Sequence, residues 1–403
     1  MPIIILFAIF FGTYTTEFII SGKHLSLNII DFLIPLLVIV LFARRKSVVL
    51  PIKEVLLITA MCFFWIISLL ISPDPLRGAW IVKIVIISFL ARLVMLNSSS
   101  FRRQTLLYFS LCLFPILIFS VGLLTALFKG ITLSQMINAR KFYVPGVGKT
   151  NTLGTYLAAF APILLGISIS TKNKPLRIFA WLGVVSSIGG IVLASSRGAA
   201  LSFIFGLLVF LIFSFRRISF RSLLSVFLPT ILISVLILSS NLSSMLFLRF
   251  QEVVQGGLAA LTVSVRLDDW RVAWLMFKNS PLIGQGLGSF ESFYKQFGYF
   301  VYLDIPRNPH NVLLYLLAEV GILGTIPFIW WISMLLTKSF HAAFISRQTA
   351  LGIGIVTGAL IVIVNSMWEP TILSQSGTLF LFYLLTINEF MHTREEVKIS
   401  NSL

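Results

Sequence analysis

The sequence predicts an all-α, polytopic membrane protein, and three observations carry that expectation. The 403-residue chain is 58% hydrophobic and only 11% charged, against roughly 25% charged residues in soluble domains. Its apolar residues gather into runs of about twenty, the length that crosses a bilayer as a helix. Its basic residues concentrate in short connections between those runs, the pattern that sets the orientation of a multispan protein. The formal charge of +17 is therefore read as a topology signal and an attraction to membrane lipids, with no nucleic acid implied.

Taken in order, apolar runs near residues 2–20, 25–43, 54–72, 79–97, 105–128, 151–170, 177–195, 199–215, 222–240, 310–337, 349–367 and 377–391 are each expected to span, about twelve transmembrane helices in all. They divide into N-terminal helices over 1–128, a basic outward loop with central helices over 129–240, a long outward loop over 241–309, and C-terminal helices with a short tail over 310–403. The last run is short and is expected to tilt or to thin the bilayer. The first lacks a basic n-region and a small-residue cleavage site, so it reads as a span and not as a signal peptide. Cys62 and Cys112 both fall inside apolar runs and imply no disulfide framework. No histidine or cysteine stands at metal-ligand spacing, so no metal site is expected.

Orientation follows from alternate connections. Arg44-Arg45-Lys46, Arg102-Arg103, Lys172 to Arg177, Arg216-Arg217 with Arg221, and Lys338 to Arg347 all fall on one side, together with Arg394 and Lys398 of the tail. That side, with both termini, is expected to be cytoplasmic. Most outward loops are short. Residues 129–150 are longer and carry Lys129, Arg140, Lys141 and Lys149 with no acid. Cations on a translocated face run against topology, so Arg140 and Lys141 are expected to meet an anionic ligand or headgroup. Pro145 to Gly148 is a flexible turn, since no Gly-Lys-Ser/Thr tail makes it a phosphate-binding loop.

The loop over 241–309 has structure of its own. Leu267, Trp270, Trp274 and Phe277 recur at helical spacing, with Arg266, Asp269 and Arg271 among the polar positions. Pro281, Gly284, Gly286 and Gly288 then end the helix in a turn. The aromatic run from Phe290 to Tyr302 fits interfacial anchoring or a platform for sugar rings, and both readings stay open.

Arg197, Arg266 and His310 stand out because each lies where apolar chain meets water on the same expected side. Two fixed cations and a titratable base at one interface point to a site for a lipid-linked phosphate or pyrophosphate. Each has a plainer reading: Arg197 as a snorkelling boundary residue, Arg266 paired with Asp268 or Asp269, His310 as a satisfied interface histidine. Glu319 is either a buried structural acid or a group that orients the site. Glu369, Lys83 and Arg92 are ionisable groups near or in spans and so are candidates, with headgroup contact the alternative for Lys83 and Arg92.

Ser196-Arg197-Gly198 between two spans, Arg266-x-x-x-Trp270, the run Asn279 to Phe290, Pro309-His310-Asn311 and Glu319-Val320-Gly321-Ile322-Leu323-Gly324 together resemble the O-antigen ligase/polymerase family of bacterial envelope glycosyltransferases. The resemblance is densest from about 145 to 325, and its specificity lies in the ordered series. It implies a GT-C-like helical fold in the bacterial inner membrane, with an active site on the periplasmic face. The implied donor is a glycan on undecaprenyl pyrophosphate, the acceptor a lipid A–core sugar or another glycan, and no cofactor or metal is implied. Arg197 and Arg266 match the family's essential arginines and His310 its essential histidine. Guanidinium forks hold phosphate bidentately without losing charge, and an imidazole can take the acceptor's proton at neutral pH. Arg140, Lys141, Arg271, Asn311 and Glu319 are expected to contribute to substrate binding.

A ligase and a polymerase of this type use similar clamps. The polymerase spacing of Arg, ten residues, then Gly is missing, since Asn151 follows Arg140 and Phe277 follows Arg266 at that offset. The ligase is therefore favoured over the polymerase. A transporter for an anionic solute is the reading from another class, but matching halves with Gly/Pro-broken spans are not evident.

Overall fold

A computed structural model of the chain describes residues 2–11, 15–20, 23–44, 51–97, 104–132, 150–215, 261–301, 308–345 and 349–400, with a few isolated residues between them. The described elements begin with α1 (Pro2–Phe11), β1 (Thr15–Ile20), β2 (Lys23–Asn28) and α2 (Ile29–Arg44). Next come α3 (Ile52–Leu70), α4 (Pro75–Leu96), α5 (Gln104–Phe128), α6 (Thr150–Ser170), α7 (Lys174–Ala194) and α8 (Arg197–Ser214). The remainder are α9 (Leu261–Asn279), α10 (Phe290–Phe297), α11 (Val312–Ile345), α12 (Thr349–Asn365) and α13 (Gln375–Ser400). Among the described residues, seven helices are long and apolar enough to cross a membrane: α3 to α8 and α11. α2 and α12 are apolar but shorter. The chain is a multi-pass helical membrane protein, while the expected span at 222–240 lies outside the described residues.

The all-α expectation needs one correction at the N-terminus. The run read as a span over 2–20 is a ten-residue helix followed by an antiparallel hairpin, with register from Thr15↔Asn28 to Ile20↔Lys23. Thr15, Thr16 and Glu17 interrupt that run, and the β-branched residues among its neighbours suit a strand. Mean hydropathy over a window does not register either feature.

The centre of the bundle is α6, where every residue from Leu153 to Ser168 is buried. Small residues let α12 approach it backbone to backbone. A Cβ built on Gly354 would lie 2.3 Å from the Pro162 carbonyl oxygen, and one on Gly166 2.5 Å from that of Ala350. Close approach of this kind supplies the dispersion contacts that hold helices together where lipid offers no hydrophobic driving force.

α11 is broken. Gly321 has φ 62° and ψ −168°, so the helical ladder stops and restarts there. Inside a membrane protein each backbone group freed by such a break costs several kcal/mol unless it finds a partner. The partner is the segment after α9. Gln285 N donates to Ala318 O at 2.9 Å, Gly286 N to Glu319 O at 3.1 Å, Ile322 N to Pro281 O at 2.9 Å and Leu323 N to Leu282 O at 3.0 Å. From α3, Ser68 Oγ donates to Glu319 O at 2.6 Å and Trp65 Nε1 to Gly324 O at 3.0 Å. A small apolar cluster of Val272, Ala273, Met276, Phe290, Tyr294 and Ala318 seals α9 and α10 onto α11.

Toward the other end of α4, Arg92 is fully buried and faces protein, not headgroups. It donates to both carboxylate oxygens of Glu54 at 2.7 Å, to Glu389 at 2.7 Å and to Thr386 at 3.1 Å. Lys338 Nζ reaches Glu54 at 2.9 Å. Two cations and two carboxylates from α3, α4, α11 and α13 thus neutralise one another. Lys83 is likewise paired, with Asp31 at 2.8 Å. Removing one member of a buried pair strands the other's charge. Arg92→Ala should cost about 3–5 kcal/mol, read as a lowered thermal transition in detergent. Glu389→Gln should cost less, since that side chain is 25% exposed.

Candidate active site

The site forms where helix ends meet at one end of the bundle. α7 and α8 are joined by two serines, each suited to its place. Ser195 takes a left-handed conformation, φ 47°, that ends α7, and Ser196 caps α8 by accepting from Ala199 N at 3.4 Å. Arg197 is then the first residue of α8. Gly198 permits close approach of the loop after α12, because a Cβ there would lie 3.2 Å from Asn365 Oδ1 and 3.6 Å from Trp368 Cβ.

His310 enters from the start of α11. Its backbone N donates to Asn308 Oδ1 at 2.9 Å in a tight turn, and its φ is 50°. Ser195 and His310 are the only non-glycine residues with positive φ among those described. Such conformations cost on the order of 1–3 kcal/mol each and tend to mark functional positions. The next helical amide, Val312 N, donates to Ser366 O at 2.9 Å, which fixes His310 beside the loop carrying Glu369. Glu369 Oε2 lies 3.4 Å from His310 Nδ1 and accepts from Asn151 Nδ2 at 2.9 Å. At that separation the imidazole is within ion-pair range but short of a formed hydrogen bond.

Arg266 comes from α9. With Asn151, Ser195, Ser196, Arg197, Gly198, Asn365, Trp368 and Glu369 it lines an open cleft of about 380 Å³. The cleft brings like charges together. Burial lowers the pKa of the Arg266 guanidinium; Glu369 opposes this, the like charge of Arg197 adds to it, and Asp269 opposes it. Burial raises the Glu369 carboxyl, but His310, Asn151 and Arg266 outweigh that and hold it below the ordinary carboxylate range. Arg197 and Arg266 therefore share a partly buried space with Glu369, and Asp269 also acts on Arg266. A polyanion entering it would relieve the repulsion between the arginines.

The other residues singled out from sequence have different places. Asp268 does not serve Arg266: it accepts from Arg271 Nε at 2.9 Å, Tyr294 Oη at 2.7 Å and Tyr299 N at 2.7 Å. Burial raises its pKa, but these donors outweigh it and keep it ionised. Arg271 is thus engaged within the loop, where it also lies 3.8 Å over the Tyr299 ring. Asn311 caps α11, its Oδ1 accepting from Leu313 N at 3.0 Å and Leu314 N at 3.1 Å. Glu319 is fully buried and accepts from Gly288 N at 2.7 Å and Phe290 N at 3.0 Å. Arg140 and Lys141 lie outside the described residues. Asn151, Asn365 and Trp368 were not singled out from sequence, and Glu369 was named without a partner. An acid in a short loop between spans was the available signal for Glu369. Among the described residues, no group of three or more His, Cys, Asp or Glu side chains converges as a metal-ion site.

Glu369 gives a pH dependence whose sign is fixed. A carboxyl with a depressed native pKa contributes stability that is present above its unfolded value and is lost as pH falls through the native one. The stability difference between wild type and Glu369→Gln should be level at neutral pH and shrink only in acid, below the ordinary carboxylate range. Thermal unfolding across pH measures it, and a difference that instead grew in acid would contradict the assignment.

No curated protein matches the chain. The sequence model of the family described as O-antigen ligase matches residues 182–329, a stretch holding Arg197, Arg266, His310, Glu319 and the helix break. The segment is thus similar to the O-antigen ligase family, and it contributes five of the nine residues lining the cleft.

Proposed function

We propose that the cleft binds the pyrophosphate of an undecaprenyl-linked glycan and transfers the glycan to a hydroxyl of a lipid A–core sugar, the O-antigen ligase reaction. The observation that carries this reading is the placement of Arg197 and Arg266 on one cleft, close enough that Arg266 feels the charge of Arg197. A pyrophosphate is the ligand class that such a pair favours, because planar guanidinium forks match its oxygens and stay charged. The basic connections near the other end of the bundle support an inner-membrane orientation with the cleft toward the periplasm.

In the proposed reaction the acceptor oxygen attacks the anomeric carbon. The bond from that carbon to the pyrophosphate oxygen breaks, and its electron pair leaves with the lipid pyrophosphate. The arginines stabilise the negative charge that develops there in a partly dry site. His310 takes the acceptor's proton. With Nδ1 turned toward Glu369, Nε2 is the nitrogen left for the acceptor, and the carboxylate orients the ring and balances its developing charge. Trp368, exposed at the cleft, is placed to meet a sugar ring. A polymerase would use the same clamp with a second lipid-linked glycan as acceptor. Full-length polymer left on undecaprenyl pyrophosphate after gene deletion identifies the ligase, and a single repeat unit identifies the polymerase.

Arg197→Ala and Arg266→Ala should each lower transfer about 10²-fold or more while the protein still inserts. Lysine at either position should restore little, because it lacks the planar fork. Wild-type transfer by a well-expressed Arg197→Ala protein would end the clamp reading for that residue. His310→Ala should slow transfer by about 10²–10⁴-fold yet leave affinity for a polyprenyl pyrophosphate largely intact. An active His310→Gln would reduce the residue's role to orienting the acceptor. Because the arginines supply the electrostatic stabilisation, transfer by purified protein should survive excess EDTA; loss with EDTA and recovery with magnesium would overturn this division of labour.

A further inference from the structure

Arg266 reaches the cleft from outside the transmembrane bundle, so something must fix α9 relative to α8 and the start of α11. The described contacts trace how this is done. Glu319 stands two residues before the break at Gly321, with no exposed surface. Both of its carboxylate oxygens are engaged by backbone amides, Gly288 N at 2.7 Å and Phe290 N at 3.0 Å. Phe290 is the first residue of α10, and Ser289 before it provides no side-chain cap. The buried carboxyl therefore accepts at the start of α10 in place of a side-chain cap. Along α10, Phe290 and Tyr294 pack against Val272, Ala273 and Met276 of α9. Tyr294 Oη then donates to Asp268 Oδ2 at 2.7 Å. Asp268 lies two residues after Arg266, on the same helical turn.

We propose that Glu319 is a positioning residue for Arg266, acting through α10 and Asp268 and never touching the substrate. The inference rests on the reading of Arg266 as a donor-pyrophosphate contact. Glu319 is engaged by the fold alone, since Tyr315 and Arg77 also face its carboxyl and neither lines the cleft. It is buried away from the cleft, both oxygens are engaged, and its own backbone carbonyl is held by Ser68 and Gly286. A carboxylate is also the one side chain of this length that accepts two amides without presenting a donor to either. Glutamine would keep the size but place an N–H₂ against one of those amides, loosening the start of α10 and, through it, the turn carrying Arg266.

The test is a double-mutant cycle on the purified full chain, read as the dissociation constant for a glycan-free polyprenyl pyrophosphate. Glu319→Gln should weaken binding about 10-fold in the wild-type background, the scale of a mispositioned charged contact. In the Arg266→Ala background the same change should have almost no further effect, because the group it positions is gone. Tyr294→Phe keeps the apolar packing and removes only the Asp268 contact. It should show the same coupling with a smaller effect, and it carries the test if Glu319→Gln fails to fold. Equal weakening by Glu319→Gln and by Tyr294→Phe in both backgrounds would mean that these residues act on general stability, and would overturn the positioning role alone. Unchanged binding in both variants would overturn it as well. Unchanged binding in Arg266→Ala itself would overturn the donor-clamp reading, and the positioning role with it.

Discussion

The break in α11 at Gly321 is the constraint on which the rest of the structure depends. A helix interrupted within a bundle frees carbonyl and amide groups that neither lipid nor apolar side chains can satisfy. Here the segment from Pro281 to Gly286 meets that demand with its own backbone, hydrogen-bonding on either side of the break. The close approach is possible only because glycines stand at both surfaces. A Cβ on Gly284 would lie 2.3 Å from the Glu319 carbonyl oxygen, and one on Gly321 2.4 Å from that of Leu282. Both residues also have positive φ, so an L side chain would be strained there even with room for it. The loop outside the bundle is thereby made part of the membrane core, and α9 cannot drift from α11 without exposing buried hydrogen-bonding groups.

The cleft inherits its geometry from this docking and from two strained turns. Ser195 and His310 hold left-handed conformations, one ending α7 and the other preceding α11. Each aims a functional side chain that a relaxed turn would direct elsewhere: Ser195 sets the entry of Arg197, and His310 is itself the strained residue. The local cost is offset by helix packing around α6 and by the bond from Val312 N to Ser366 O.

Charge is treated in opposite ways at the two ends of the bundle. Toward one end Arg92, Glu54, Glu389 and Lys338 form a neutral set whose members satisfy one another. At the other, Arg197 and Arg266 share a cleft with Glu369, which is itself drawn toward His310 and Asn151, while Asp269 also acts on Arg266. A buried set that is balanced holds helices together; like charges held close repel, and an anion between them relieves that repulsion.

The sequence by itself determined the membrane class and the long spans, and it singles out Arg197, Arg266 and His310 at span boundaries. Apolar length and the presence of arginine or histidine at a span boundary are local properties, and α3 to α8 fall within a few residues of where hydropathy puts them. It did not determine the N-terminal hairpin, which a hydropathy average hides, or the break in α11, since a glycine in an apolar run is compatible with a continuous helix. Nor did it determine which polar groups pair. Glu369 and Asn151 are 218 residues apart and Arg92 and Glu389 297 apart. Arg271, Asn311 and Glu319 read as ligand contacts only until the fold brings Asp268, the first amides of α11 and the amides of Gly288 and Phe290 to them. Tertiary packing alone decides which of several chemically suitable partners comes within hydrogen-bond distance, and with it which charges are engaged in the fold and which face the cleft.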